Sequence, residues 1–207
     1  MKRFLTFFIA IAASAMAFAQ TPEEILDKME AKMDQHENDG IHMIVDIKIP
    51  ILGTMSTESY ILGKKIRLEA EAMGVAITTW YDEENTWTYN SKTNEVEITK
   101  MKPDEKTDEG GVIEMLEGLT DGYDVTLKKE TDKAWYLLCK KSKDNTDKDA
   151  PKTIDLAVAK GTYMPLSLSA KVSGVSMTMR DFSFGITEQQ VTFNPKDYPG
   201  VKIIDKR

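Results

Sequence analysis

One cysteine, Cys139, is all the thiol this 207-residue chain contains. An internal disulfide is therefore excluded. Cys139 stands in a strand-like run, residues 135–141, and is expected to be a small buried apolar residue. No histidine or helix start lies near it in sequence to activate a thiolate. Histidine is almost as scarce. His36 and His42 are six apart, one at a helix end and one on a strand, and are expected at the surface. Without further ligands at matching spacing they do not make a zinc site. The chain also lacks the G-x-S-x-G and H-E-x-x-H motifs and any glycine-rich phosphate loop. The oxygen-rich run Asp144-Asn145-Thr146-Asp147-Lys148-Asp149 has neither the glycine nor the closing glutamate of a calcium loop, and reads as a solvated turn. Carboxylates are abundant, but no pair stands out as an acid–base couple. The expectation is a protein without catalysis, metal or cofactor.

Long apolar runs are missing after the N-terminus, so no later segment is expected to cross a membrane. The start itself has the pattern of a secretory signal peptide: basic Lys2 and Arg3, an apolar run over residues 4–13, and Ala17-Phe18-Ala19 as a small-x-small cleavage site. Cleavage is expected between Ala19 and Gln20, leaving one domain, 20–207, in the periplasm. No cysteine follows the cleavage point, so the chain is not expected to be lipidated itself. Residues 1–19 hold two of the 27 basic side chains and none of the 34 acidic ones, so their removal takes the formal net charge from −7 to −9. That balance argues against nucleic acid and against adsorption to anionic head groups. A monomer is expected.

What the sequence does contain is a succession of short strand patterns. Thr21-Pro22-Glu23-Glu24 opens a helix with a capping box, and Ile25, Leu26, Met29 and Met33 recur at helical spacing. The helix should stop before Asn38-Asp39-Gly40. Ile41–Ile49 then alternates, with Met43 and Val45 on its apolar side. Strands are expected over residues 55–62, Lys65–Ala72 (Ile66, Leu68 and Ala70 facing one way), Val75–Tyr81, 86–90 and Glu95–Lys100. The last three form a meander with Asp82-Glu83-Glu84-Asn85 and residues 91–94 as turns. Trp87 and Tyr89 share one face of their strand, as Val96 and Ile98 do on the next. Residues 112–119 read as a short, heavily apolar helix between glycines, either a hinged flap or a fixed plug. Strands resume over 123–129, Ala134–Lys141, 154–159, 164–172 and Val175–Phe184, with short ones at 190–193 and 201–204. The fold class is α+β: one large curved antiparallel sheet of about eleven strands with an N-terminal helix and a second, short helix. Ten methionines outside residues 1–19 favour an adaptable apolar surface.

Several motifs together resemble the periplasmic outer-membrane lipoprotein carriers, the LolA-like family. They are Ile25-Leu26-Asp27-Lys28 in the opening helix, Asp82…Trp87-Thr88-Tyr89-Asn90 with Glu95-Val96 in the central hairpin, and residues 112–119 before Tyr123-Asp124-Val125. At the C-terminus Phe193-Asn194-Pro195 and Gly200-Val201-Lys202-Ile203-Ile204-Asp205 complete the likeness. One departure is visible. Where the family carries an arginine that holds its lid, this chain has Gly63-Lys64-Lys65, with Arg67 close but shifted. The resemblance implies that the sheet is an incomplete barrel wrapped on the two helices, the short one as its lid, and that it holds acyl chains without chemistry on them. The partners it implies are lipoprotein acyl chains or another lipid, an inner-membrane releasing complex and an outer-membrane acceptor. Burying a methylene is worth about 0.8 kcal/mol, so a chain of roughly 14–16 carbons could supply on the order of 10 kcal/mol before ordering costs. The cavity is expected to be lined by Met43, Val45, Ile66, Leu68, Trp80, Trp87, Tyr89, Ile113, Met115 and Leu116. An envelope sensor or protein-interaction module on the same half-barrel is the alternative, and a hydrolase the third.

Overall fold

In a computed structural model of the chain, the described residues are 20–50, 53–101, 122–148, 150–172 and 174–207. The expected signal segment, residues 1–19, and the expected short helix, residues 112–119, lie outside them. So do Ile113, Met115 and Leu116.

Helix α1 spans Pro22–Asp34. Its first turn is closed as the sequence predicts: the Thr21 hydroxyl accepts from the Glu24 amide at 3.2 Å, and the Glu24 carboxylate accepts from the Thr21 amide at 3.4 Å. A helix of this length is marginal alone in water. Its stability comes from Ile25, Leu26, Met29 and Met33, all buried against the sheet, each contributing on the order of 2 kcal/mol. Gly40 then turns the chain into the first strand at φ +66°. A Cβ there would stand 2.7 Å from the Ile61 carbonyl oxygen, so only glycine fits.

The strands are β1 (Ile41–Ile49), β2 (Gly53–Leu62), β3 (Lys65–Ala72), β4 (Val75–Tyr81), β5 (Asn85–Asn90), β6 (Glu95–Lys100), β7 (Tyr123–Glu130), β8 (Ala134–Lys141), β9 (Thr153–Ala159), β10 (Pro165–Val172), β11 (Val175–Phe184) and β12 (Lys202–Asp205). They form one 12-stranded open, curved sheet in the order β12-β6-β5-β4-β3-β2-β1-β11-β10-β9-β8-β7. The architecture is the incomplete barrel with helices that the resemblance implies. Eleven neighbouring pairs complete the order, and ten of them are antiparallel. The exception is β12, which runs parallel to β6.

Residues 190–193, expected as a strand, form none: Gln190 and Val191 end a short helix, α2 (Glu188–Val191), and Thr192 and Phe193 follow it outside any helix or strand. The reason is local. The Gln190 side-chain oxygen accepts from both the Thr187 amide and the Thr187 hydroxyl, which closes a helical turn before the apolar alternation can act. A 3₁₀ turn at Pro195–Asp197 follows, and the chain then reaches β12.

Partners directly opposite in a sheet share a face, so the register divides the side chains cleanly. One face carries Met43, Ser59, Leu68 and Thr79 in line, with Ile41, Ile61, Ile66 and Tyr81 as the next row. The other carries His42, Tyr60, Arg67, Trp80, Trp87 and Ile98 in line. Helix α1 packs on the first face, over β1 and β8–β11. There it closes a core with Ile41, Met43, Leu137, Cys139, Ile154, Leu156, Val158, Leu168 and Met179. The segment from α2 to β12 crosses the second face, over β2–β6. The two covers therefore lie on opposite sides of the same sheet.

Candidate functional site

The α1 face is not uniform. Where the helix lies it is filled. Met43 is 1% exposed, and Val45 packs against the same cluster. These two expected cavity residues are core residues. Among the described residues the cluster stops beyond β2. Ile66, Leu68 and Ala70 on β3 and Ile77 on β4 stand on the same face, half-buried, and none is part of the packed core. Leu68 pairs with Thr79 and Ser59, Ala70 with Ile77, and Ile66 with Tyr81, so the strip is apolar with hydroxyls set into it. Sequence alternation alone identifies Ile66, Leu68 and Ala70. Ile77 joins them only through the pairing.

Trp80, Trp87 and Tyr89 are not with them. The structure places all three on the opposite face, beneath the C-terminal segment. Trp80, 3% exposed, meets Phe193 at 5.2 Å and Tyr198 edge-on at 5.5 Å between ring centroids. Trp87 stacks on Phe193 at 6.5 Å, and Tyr89 lies 4.6 Å from Tyr198. This aromatic cluster, with Trp80 buried at its centre and the other rings half-buried, fastens the C-terminal strap. The physical reason is parity. Leu68 pairs with Thr79, so its neighbour Trp80 must point the other way. Arg67 goes with the strap. It donates to the Gln190 carbonyl at 3.1 Å, pairs with Glu69, and lies 4.8 Å over the Tyr60 ring. It points away from the face that carries Ile66 and Leu68.

The polar candidates resolve simply. Cys139 is buried, and burial pushes its thiol up to about 11, so it packs as a small hydrophobe. His36 bonds Asp39 at 2.7 Å and stacks on Phe184. His42 lies against Tyr60, with Nδ1 3.3 Å from the Ser183 hydroxyl and Nε2 3.7 Å from Glu58. Among the described residues no three His, Cys, Asp or Glu side chains stand together as a metal site. Among them, too, no helix is long and apolar enough to cross a membrane. A groove of about 520 Å³ on the outer side of β7–β10 has Tyr136, Asp155, Ser167 and Ser169 in its lining, with Lys128 and Lys129 at its edge. Those four side chains are opposite α1. Nothing in that groove pairs a nucleophile with a base.

No protein-family model matches the chain, and no curated protein matches it. Solved structures do. LprF from Mycobacterium bovis aligns over 85% of this chain and 99% of its own at 11% identity, with a TM-score of 0.51. A LolA superfamily protein from Nitrosomonas europaea aligns over 86% and 100% at 11% identity, TM-score 0.33. The MucA/MucB complex from Pseudomonas aeruginosa aligns over 84% of this chain and 62% of the other, at 11% identity and TM-score 0.47. At such identity the likeness is one of fold: the chain, an open sheet backed by helices, has the fold of LprF.

Proposed function

We propose that the chain is a non-enzymatic binder or carrier of acylated molecules in the cell envelope, holding an acyl chain on the α1 face beyond the helix. One observation carries the reading. Among the described residues the packed core on that face ends at Ile61, while Ile66, Leu68, Ala70 and Ile77 continue the apolar surface half-buried and outside the core. Apolar side chains left at a sheet's centre are free to be covered by something else. A linear hydrocarbon suits a strip one or two side chains wide. The hydroxyls of Thr79 and Ser59 along it need no ligand chemistry. Cargo must leave unchanged, so this role asks for no chemistry at the strip. The resemblance to the LolA-like family supports the same reading. Lipoprotein acyl chains, an inner-membrane releasing complex and an outer-membrane acceptor are the partners it implies.

The test is binding of a fluorescent fatty acid to the purified chain from Gln20 onward, together with native mass measurement after isolation from an envelope fraction. Bound mass in the range of a lipid, and saturable probe binding lost in Leu68→Asp, are the expected results. Bare polypeptide mass with no probe uptake would reject the reading. Co-purification with a protein that carries no acyl group would favour the sensor or interaction alternative.

A further inference from the structure

The hairpin between β3 and β4 breaks two rules at once. Met73 and Gly74 form a two-residue turn closed by the Ala72–Val75 pair, with φ +54° and +74°. Such turns favour Asn, Asp or Gly at the first position, because a Cβ at positive φ is strained. Here the residue is methionine, and it is fully exposed, at 105% of its reference area. A large apolar side chain held in a strained conformation with no packing to compensate is a mark of function rather than of folding.

Its surroundings point to a ligand. Met55 is 49% exposed and lies at the same end of the sheet. On the α1 face at that end, Met177 pairs with Ile47 and Ile47 with Met55, and Ala72 pairs with Val75 beside the turn. Apolar surface thus runs without a break from the hairpin tip to Ala70 and Ile77. The same rim is cationic. Lys48 and Lys171 flank Ser176 from either side, and Lys92 sits in the β5–β6 turn. All three are exposed, and none has an ion-pair partner among the described residues. Asp46 lies two residues from Lys48 on the same strand face and Glu95 three residues past Lys92, but these acids are paired elsewhere, with Arg180 and Lys202. The opposite rim reverses this pattern. Asp82, Glu83 and Glu84 fill the β4–β5 turn beside Glu188, and Lys64 and Lys65 there are tied to Glu83 and Glu188.

We propose that the Met73 rim docks on an anionic lipid bilayer, Met73 entering the interface while Lys48, Lys92 and Lys171 meet the head groups. The dipole-like segregation of charge lets a net acidic protein do this, with its acidic rim held away from the surface. The proposal rests on the acyl-binding reading for its purpose, since it places the mouth of the apolar strip against the source of acyl chains. It does not need that reading to be tested.

The experiment is co-flotation of the chain from Gln20 onward with phosphatidylcholine–phosphatidylglycerol vesicles and with phosphatidylcholine vesicles, with fatty-acid probe binding measured in parallel. The expected result is flotation with the anionic vesicles, reduced roughly tenfold by Met73→Asp, restored by Met73→Leu, and abolished by Lys48→Glu with Lys171→Glu. Probe binding in solution should persist in all of these variants, because the tip stands off the strip. Met73→Gly relieves the strained turn and should float poorly while folding at least as well, which separates docking from stability. Absence of flotation, or flotation unchanged in the Met73 and lysine variants, overturns the proposal. Loss of flotation with probe binding intact in the wild type leaves the acyl-binding reading standing. Flotation without any probe binding does the reverse.

Discussion

Asp46 shows how single polar residues support the sheet. Its carboxylate accepts from the Arg180 guanidinium at 2.7 Å and from the Ser56 hydroxyl, joining β1 to β11 and β2. The Arg180 hydrogen bond, more than any other influence, holds its carboxyl below the ordinary value. A depressed carboxyl contributes stability that is complete above the unfolded-state value of about 4 and is lost as pH falls through the folded one. Denaturant midpoints should therefore fall on acidification below about pH 4. Asp46→Asn should have a lower midpoint at neutral pH and a flatter acid limb. Met73 gives the opposite sign. Met73→Asn places a residue that tolerates positive φ in the turn, and should raise unfolding free energy by about 0.5–1 kcal/mol, measured by urea titration. These two residues sit at opposite ends of what sequence can tell. Asp46 on a polar strand face is legible as exposed, but its partners come from residues far along the chain. Met73 before Gly74 is legible as a turn, and only the coordinates reveal its exposure.

Among the elements, α1 is the one the sequence specifies most fully. Its cap, its apolar stripe and its stop at Gly40 are all local, so they needed no tertiary information. Thr21→Ala should cost about 1 kcal/mol, and Met29→Ala, fully buried in the core, about 2–5 kcal/mol; thermal denaturation of each variant checks both. The C-terminal strap is the contrary case. Apolar Val191 and Phe193 suggest alternation, but Thr187 and Gln190 bond each other and turn the segment into a helix. Phe193 then lands between Trp80, Trp87 and Tyr198. Phe193→Ala should lower stability on the order of 2 kcal/mol and shift tryptophan emission to the red, since Trp80 loses its cover. Fatty-acid binding should be unaffected, because the cluster is on the side of the sheet away from Leu68. Retained emission and lost binding would place the aromatics in the acyl site after all.

The molecule as a whole divides into one packed half and one strip of apolar surface outside the core. Leu68→Asp and Ile66→Asp should abolish probe binding with little change in melting temperature, whereas Met43→Ala should destabilise the fold by about 2–5 kcal/mol and leave a weaker, still saturable binder. Had all three residues lined one cavity, the variants would behave alike. The charge pattern belongs to this scale too. A net charge of −7 argues against anionic surfaces when spread evenly, but hairpin connections collect unpaired lysines at one end and carboxylates at the other.

The sequence by itself determined the strand periods, their turns, the capped helix and, through motif resemblance, the incomplete barrel, because those signals are carried by residues a few positions apart. Only the tertiary structure decided which face each strand shows to α1, since that choice depends on register across partners distant in the chain, and a shift of one residue inverts it. For that reason Ile66 and Leu68 remain together as a candidate site, while Trp80, Trp87 and Tyr89 belong to the strap.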